Sequence, residues 1–148
     1  PFTPDRGTPV SKMKEEATID DLTKIYNRKS IMAIGEHAFD HYEKAFSIIL
    51  FDIDYFKYIN DKYGHNTGDL VLKEIANVCY IILREVDIAG RIGGEEFAIL
   101  LPETNIIEAE KVAERLRIAI SDTKVFSSLD EEVKFAASFG VTFKYTNK

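Results

Sequence analysis

The chain is 148 residues long, 45% hydrophobic and 30% charged, with 25 acidic against 19 basic residues and a net charge of −6. Those values suit one packed domain with one core, and the acidic balance argues against a nucleic-acid partner, which needs clustered Lys and Arg. Apolar runs such as Ile48 to Phe51 and Tyr80 to Leu83 fall far short of the roughly 20 residues of a membrane helix. Cys79 is the only cysteine, so no internal disulfide forms. Its place in an apolar stripe marks a core residue, and a reducing cytoplasmic location fits.

Residues 1 to 12 are rich in Pro, Gly, Ser and Thr without periodicity, and residues 1 to 19 are read as a linker or expression remnant preceding a domain over 20 to 148. Thr18-Ile19-Asp20-Asp21 has the spacing of a capping box, which predicts a short helix starting there. Ile31, Ile34, Ala38 and Tyr42 recur at helical spacing, predicting a second helix from Ser30 to about Tyr42, with Asn27 and Arg28 at the break. Phe46 to Phe51 is a continuous apolar run, the composition of a strand buried on both faces, ending at Asp52. Tyr63 to Asp69 reads as a polar turn. Gly68 to Leu83 returns to helical period, with Leu72, Ile75, Ala76, Cys79, Ile82 and Leu83 on one stripe.

Asp87 to Ile92 and Phe97 to Leu101 flank Gly93-Gly94, predicting a tight hairpin whose glycines accept positive φ. Asn105 and Glu108 mark a helix start, followed by the apolar face Ala109, Val112, Ala113, Leu116 and Ile120. Val133 to Phe143 reads as a strand pair or one long strand. This order predicts an α/β sandwich with a mixed or antiparallel sheet, not a parallel one.

An ionised carboxylate at the end of a buried strand is costly unless something pairs with it, and a divalent metal would do so for Asp52 and Asp54. Their spacing of two points both the same way along an extended chain, with Asp52 the stronger candidate. Glu95 at the hairpin tip is the second candidate ligand. Two acids plus phosphate oxygens suit Mg²⁺. Lys57 would meet a phosphate as a point charge, and Asn60 and Asp69 would read a base edge, a carboxylate matching guanine's N1–H and 2-amino donors. The plainer readings are solvated acids at turns, Asp69 as a helix cap, and His65 as a fastener of the polar turn.

Asp52-Ile53-Asp54-Tyr55-Phe56-Lys57-Tyr58-Ile59-Asn60-Asp61, then Tyr63-Gly64-His65, Gly68-Asp69 and Arg91-Ile92-Gly93-Gly94-Glu95-Glu96-Phe97 together resemble the GGDEF family of diguanylate cyclases, in its GGEEF variant. Asp21-Leu22-Thr23, Tyr26-Asn27-Arg28 and Ala137-Ser138-Phe139-Gly140-Val141 extend the resemblance from about Asp20 to Val141. It implies a nucleotidyl-cyclase or polymerase-palm-like, ferredoxin-like sandwich. The implied reaction condenses two GTP into cyclic di-GMP with release of pyrophosphate, across a homodimer of domains each holding one GTP. The resemblance assigns metal ligation, by Mg²⁺ or alternatively Mn²⁺, to Asp52, the Ile53 carbonyl and Glu95. Glu95 doubles as proton acceptor. Lys57 and the Phe56 backbone fall to the phosphates, Asn60 and Asp69 to guanine, and His65 to the same nucleotide site.

Arg84-Glu85-Val86-Asp87 is separated from Gly93 by five residues, the placement of the family's product-inhibition motif, with Arg115 as its secondary arginine; on its own such a pair is a surface ion pair. The family pattern also includes a final helix and a sensory or receiver domain upstream. Neither lies within residues 1 to 148, so the chain reads as a shortened piece of a longer protein that is itself cytoplasmic or membrane-anchored. The alternative reading is a non-catalytic module that binds cyclic di-GMP or GTP through the same residues.

Overall fold

A strand buried along one side and open at its end organises the molecule, described by a computed structural model over residues 17–41 and 45–144. Strand β1 spans Phe46–Ile53. Its residues Ile49, Phe51 and Ile53 join the main core, while Ile48 faces a second, smaller one. Side chains alternate across a strand, so Leu50 and Asp52 share the face of Ile48. Leu50 is 45% exposed. Burial on both faces therefore holds only for the first half of β1, and the strand continues through Asp52 instead of stopping there.

The other elements are helix α1 (Arg28–His41), α2 (Phe56–Tyr63), α3 (His65–Ile82), β2 (Ile88–Arg91), β3 (Glu96–Pro102), α4 (Ile106–Ser121), β4 (Val125–Phe126), β5 (Glu132–Val133) and β6 (Ala137–Lys144). The main sheet has the order β2-β3-β1-β6, and its pairings are antiparallel. On one face α3 and α4 contribute Val71, Leu72, Ile75, Leu116 and Ile120 to the main core. On the other, α1 packs Ile31 with Tyr26, Ala98 and Leu100. A Cβ at Gly90 would lie 2.6 Å from that of Ile31, so only glycine lets α1 sit so close to β2. The expected α/β sandwich is present, with an antiparallel sheet.

Several local expectations change. Thr18 opens a turn, not a helix: the carboxylate of Asp20 accepts from the Thr23 amide at 2.9 Å and hydroxyl at 2.7 Å, and Ile19 bridges to Tyr26. The cap is thus an aspartate turn, a use of Asp that competes with helix initiation. Helix α1 begins two residues early, because the Asn27 side chain caps it by accepting from the Ser30 amide at 2.9 Å. Tyr42 lies outside the described residues, as do residues 1–16 of the predicted linker.

The polar turn before Gly68 is instead helical, broken only at Gly64, whose φ of 94° favours glycine. Val133 to Phe143 divides. Strand β5 pairs with β4 in a separate two-stranded sheet while β6 completes the main one. Asn105 caps α4 as expected, accepting from the Glu108 amide at 2.8 Å. Cys79 is buried, and burial pushes its thiol up to about 12, so it serves as an inert core residue.

Candidate functional site

The exit of β1 is where chemistry gathers. After Ile53 the chain leaves the sheet, and Tyr55 adopts a left-handed conformation, φ 55° and ψ 36°, which is uncommon for a bulky residue and costs on the order of 1 kcal/mol. That kink starts α2 immediately. No side chain caps α2, so its first amides keep their hydrogen-bonding capacity and partial positive charge. They border a depression of about 450 Å³ lined by Asp52, Ile53, Asp54, Tyr55, Phe56, Lys57, Glu95 and Ser138.

The hairpin brings Glu95 there. The Ile53 amide donates to the Glu95 carbonyl at 3.2 Å, extending the β1–β3 ladder by one rung into the turn. Burial first, then the charges of Asp52 and Glu96, push the Glu95 carboxyl above its ordinary range. Such crowding of negative charge favours a cation. Among the described residues no three His, Cys, Asp or Glu side chains gather as a metal cluster. Asp52 and Glu95 supply two carboxylates, a number that suits Mg²⁺ when phosphate oxygens complete its shell. Asp54 lines the depression too, but its carboxylate accepts from the Ser138 hydroxyl at 2.5 Å.

The Gly93-Gly94 turn forms as a hairpin, though not for the expected reason. Neither glycine has positive φ. Arginines hold the turn instead. Arg91 donates to the Gly93 carbonyl at 3.2 Å and the Gly94 carbonyl at 2.7 Å, and pairs with Asp20 at 3.2 Å. Arg28 donates to the Ile92 carbonyl at 2.7 Å. These supporting residues were not assigned a role from sequence. The available signal was Arg91 beside two glycines whose carbonyls need donors.

Burial of Asp20 works to raise its carboxyl, but the Thr23 hydroxyl and amide, then Arg91, outweigh it and hold the pKa below the ordinary value. A depressed carboxyl stabilises the fold above its unfolded value and loses that contribution as pH falls through the folded one. Arg91→Lys keeps the charge and gives up the fork, so it should cost about 1–2 kcal/mol. Thermal unfolding should show a fall of roughly 3–8 °C; an unchanged midpoint would mean the turn stands without Arg91. Asp20→Asn should flatten the loss of stability in acid.

The remaining candidates fall into two groups. Lys57 is highly exposed and pairs with Asp61 at 3.2 Å, one helical turn away. Asn60 is half-buried on α2, and among the described residues its side-chain amide has no partner. His65 opens α3 and is exposed; Asp69 lies one turn further along that helix, away from its start, and caps nothing. Across the molecule, Arg84 grips the buried Asp87 at 2.7 Å and also donates to the Pro102 carbonyl and Thr104 hydroxyl, both at 3.0 Å. Arg115 reaches the Ile82 carbonyl at 3.5 Å, so Arg84, Asp87 and Arg115 share one neighbourhood. It is a second group, centred on the α3–β2 connection.

Comparison with known proteins places this arrangement in context. The family model described as "Diguanylate cyclase, GGDEF domain" matches residues 17–148. Diguanylate cyclase DosC of Escherichia coli K12 is 35% identical over 130 residues, 86% of this chain and 28% of DosC. The chain thus spans only about a third of the length of the curated relatives it matches. The GGDEF domain of DgcB from Caulobacter crescentus, solved in complex with c-di-GMP, aligns with a TM-score of 0.80 at 28% identity, covering 88% of this chain and 80% of that one. The active GGEEF domain of a diguanylate cyclase from Vibrio cholerae aligns with a TM-score of 0.71 at 31% identity, covering 81% and 77%.

Proposed function

Because this chain belongs to the GGDEF family of diguanylate cyclase domains, we propose that it joins two GTP molecules into cyclic di-GMP and releases two pyrophosphates. One observation carries the reading: Asp52, the Ile53 backbone, Glu95, Lys57 and the uncapped start of α2 border a single depression. In this reading Asp52, the Ile53 carbonyl and Glu95 hold a divalent ion, Mg²⁺ or in its place Mn²⁺. The raised Glu95 carboxyl supports that fit, since the crowded acids gain from a cation. Bound there, the ion would polarise the α-phosphate and favour the ionised 3′-hydroxyl.

The chain's own residues supply the rest. The Phe56 and Lys57 amides at the start of α2 bind phosphate oxygens. Lys57 leaves its exposed partner Asp61 at small cost and takes charge developing on the phosphates. Asn60 and Asp69, with His65 nearby at the start of α3, receive the guanine. Glu95 accepts the proton of the 3′-hydroxyl as its oxygen bonds to the α-phosphorus of the opposing GTP and pyrophosphate leaves. Each domain binds one GTP, so two copies must face each other, and the second bond closes the ring. Arg84, Asp87 and Arg115 form the product-inhibition site, where Arg84 has guanidinium surface left for a phosphate or a base.

Fusing the chain to a parallel dimerising coiled coil and analysing products from GTP and Mg²⁺ tests this. Cyclic di-GMP should form, and Arg84→Ala should relieve inhibition by added product. Absence of product at high enzyme concentration would overturn the catalytic reading. Tight cyclic di-GMP binding without turnover, lost in Arg84→Ala, would establish the non-catalytic binding module in its place.

A further inference from the structure

Asn60 on α2 and Gly68 on α3 meet across the break at Gly64. A Cβ built on Gly68 would lie 1.9 Å from Asn60 Oδ1, 3.0 Å from its Cγ and 3.3 Å from Phe56 Cζ. The Asn60 amide therefore occupies the volume that any other residue at 68 would fill. Gly68 is buried within the first turns of α3, where glycine weakens a helix relative to alanine. Something other than local helix stability must account for it. Its neighbour in sequence is Asp69.

We propose that Gly68 is the positioning residue of the base-recognition pair: the bare α3 backbone is the floor on which Asn60 rests, and it sets how deep the amide sits beside Asp69. This rests on the reading of Asn60 and Asp69 as the guanine-binding residues. The amide has no hydrogen-bond partner among the described residues, and the close approach of the Gly68 backbone bounds where it lies. With a methyl at 68, the Asn60 side chain must rotate away. That rotation is cheap for folding, because Oδ1 is the free end of a flexible side chain, but it removes the amide from the base edge. Phe56, whose backbone borders the phosphate end of the depression, must also give by a few tenths of an ångström.

The test is calorimetric binding of a non-reacting GTP analogue with Mg²⁺ to the wild-type chain, Gly68→Ala, Asn60→Ala and the double variant, alongside thermal unfolding. Gly68→Ala should keep or raise the unfolding midpoint while weakening binding about 10- to 100-fold. The double variant should bind no worse than Asn60→Ala, because Gly68 acts through Asn60. Wild-type affinity in Gly68→Ala with weakened Asn60→Ala would overturn the inference and leave the guanine reading standing. A Gly68→Ala loss that adds in full to that of Asn60→Ala, or a sharply lowered midpoint, would assign Gly68 to packing and also overturn it. Wild-type affinity in Asn60→Ala would overturn the guanine reading itself.

Discussion

Glu95→Gln should abolish cyclic di-GMP formation while leaving the protein folded and, without divalent metal, slightly more stable. Turnover should fall at least a thousandfold, because in the proposed reaction the substitution removes a carboxylate from the charge-stabilising site and the proton acceptor together. Stability should move the other way. The Glu95 carboxyl is raised by burial and by Asp52 and Glu96, so the folded protein holds that proton more tightly than the unfolded chain does. Its stability therefore falls as pH rises through the interval above the ordinary glutamate value.

Glutamine carries no charge, and the unfolding midpoint of the variant at pH 7 should lie above that of the metal-free wild type. The difference should vanish below about pH 4, where the wild-type carboxyl is protonated. Mg²⁺ with GTP should raise the midpoint of the wild type and not that of the variant. A destabilised Glu95→Gln at neutral pH would mean that Glu95 is a structural acid and not part of an acidic cluster awaiting a cation.

Phe51→Ala should unfold the site by unfolding its platform. Phe51 is 3% exposed and stacks between Phe97 and Phe139, with ring centroids 4.9 and 4.7 Å away. The three rings tie β3, β1 and β6 together directly before Asp52. Deleting the middle ring leaves a cavity that its stacked neighbours cannot close without bending the sheet, at a cost of about 3–5 kcal/mol. For a domain of this size that is a fall in unfolding midpoint of roughly 10–20 °C. Phe51→Leu, which fills most of the volume, should recover more than half of the loss. Equal midpoints for wild type and Phe51→Ala would show that these rings carry little of the fold.

Both experiments probe what was legible in the amino-acid order and what was not. Asp52, Lys57, Asn60, Asp69 and Glu95 stand at offsets that a family pattern records, the apolar periodicities of α3 and α4 follow from burial on one face, and the continuous apolar run of β3 follows from burial on both. Such features are local, or repeat at a fixed period, and need no knowledge of what packs where. The helix over 56–63 and the first turn of α3 are not legible in this way, because a short polar helix capped by no side chain reads as loop until Gly64 is seen to break it at one point only. The turn at Thr18 carried a capping-box spacing whose aspartate was instead used by Thr23 and Arg91.

Amino-acid order alone thus determined the sandwich class, the inert Cys79 and the identity of the acidic, basic and amide groups at the candidate site. Tertiary structure alone decided that Glu95 meets Ile53 through an added rung of the sheet, that arginines rather than positive φ hold the glycine turn, and that Asn60 lies on Gly68. Each of those depends on distances between segments remote in sequence, or on either side of a helix break, and hydrophobic pattern does not specify such distances: it says which face is buried, not which polar atoms then come within reach of one another.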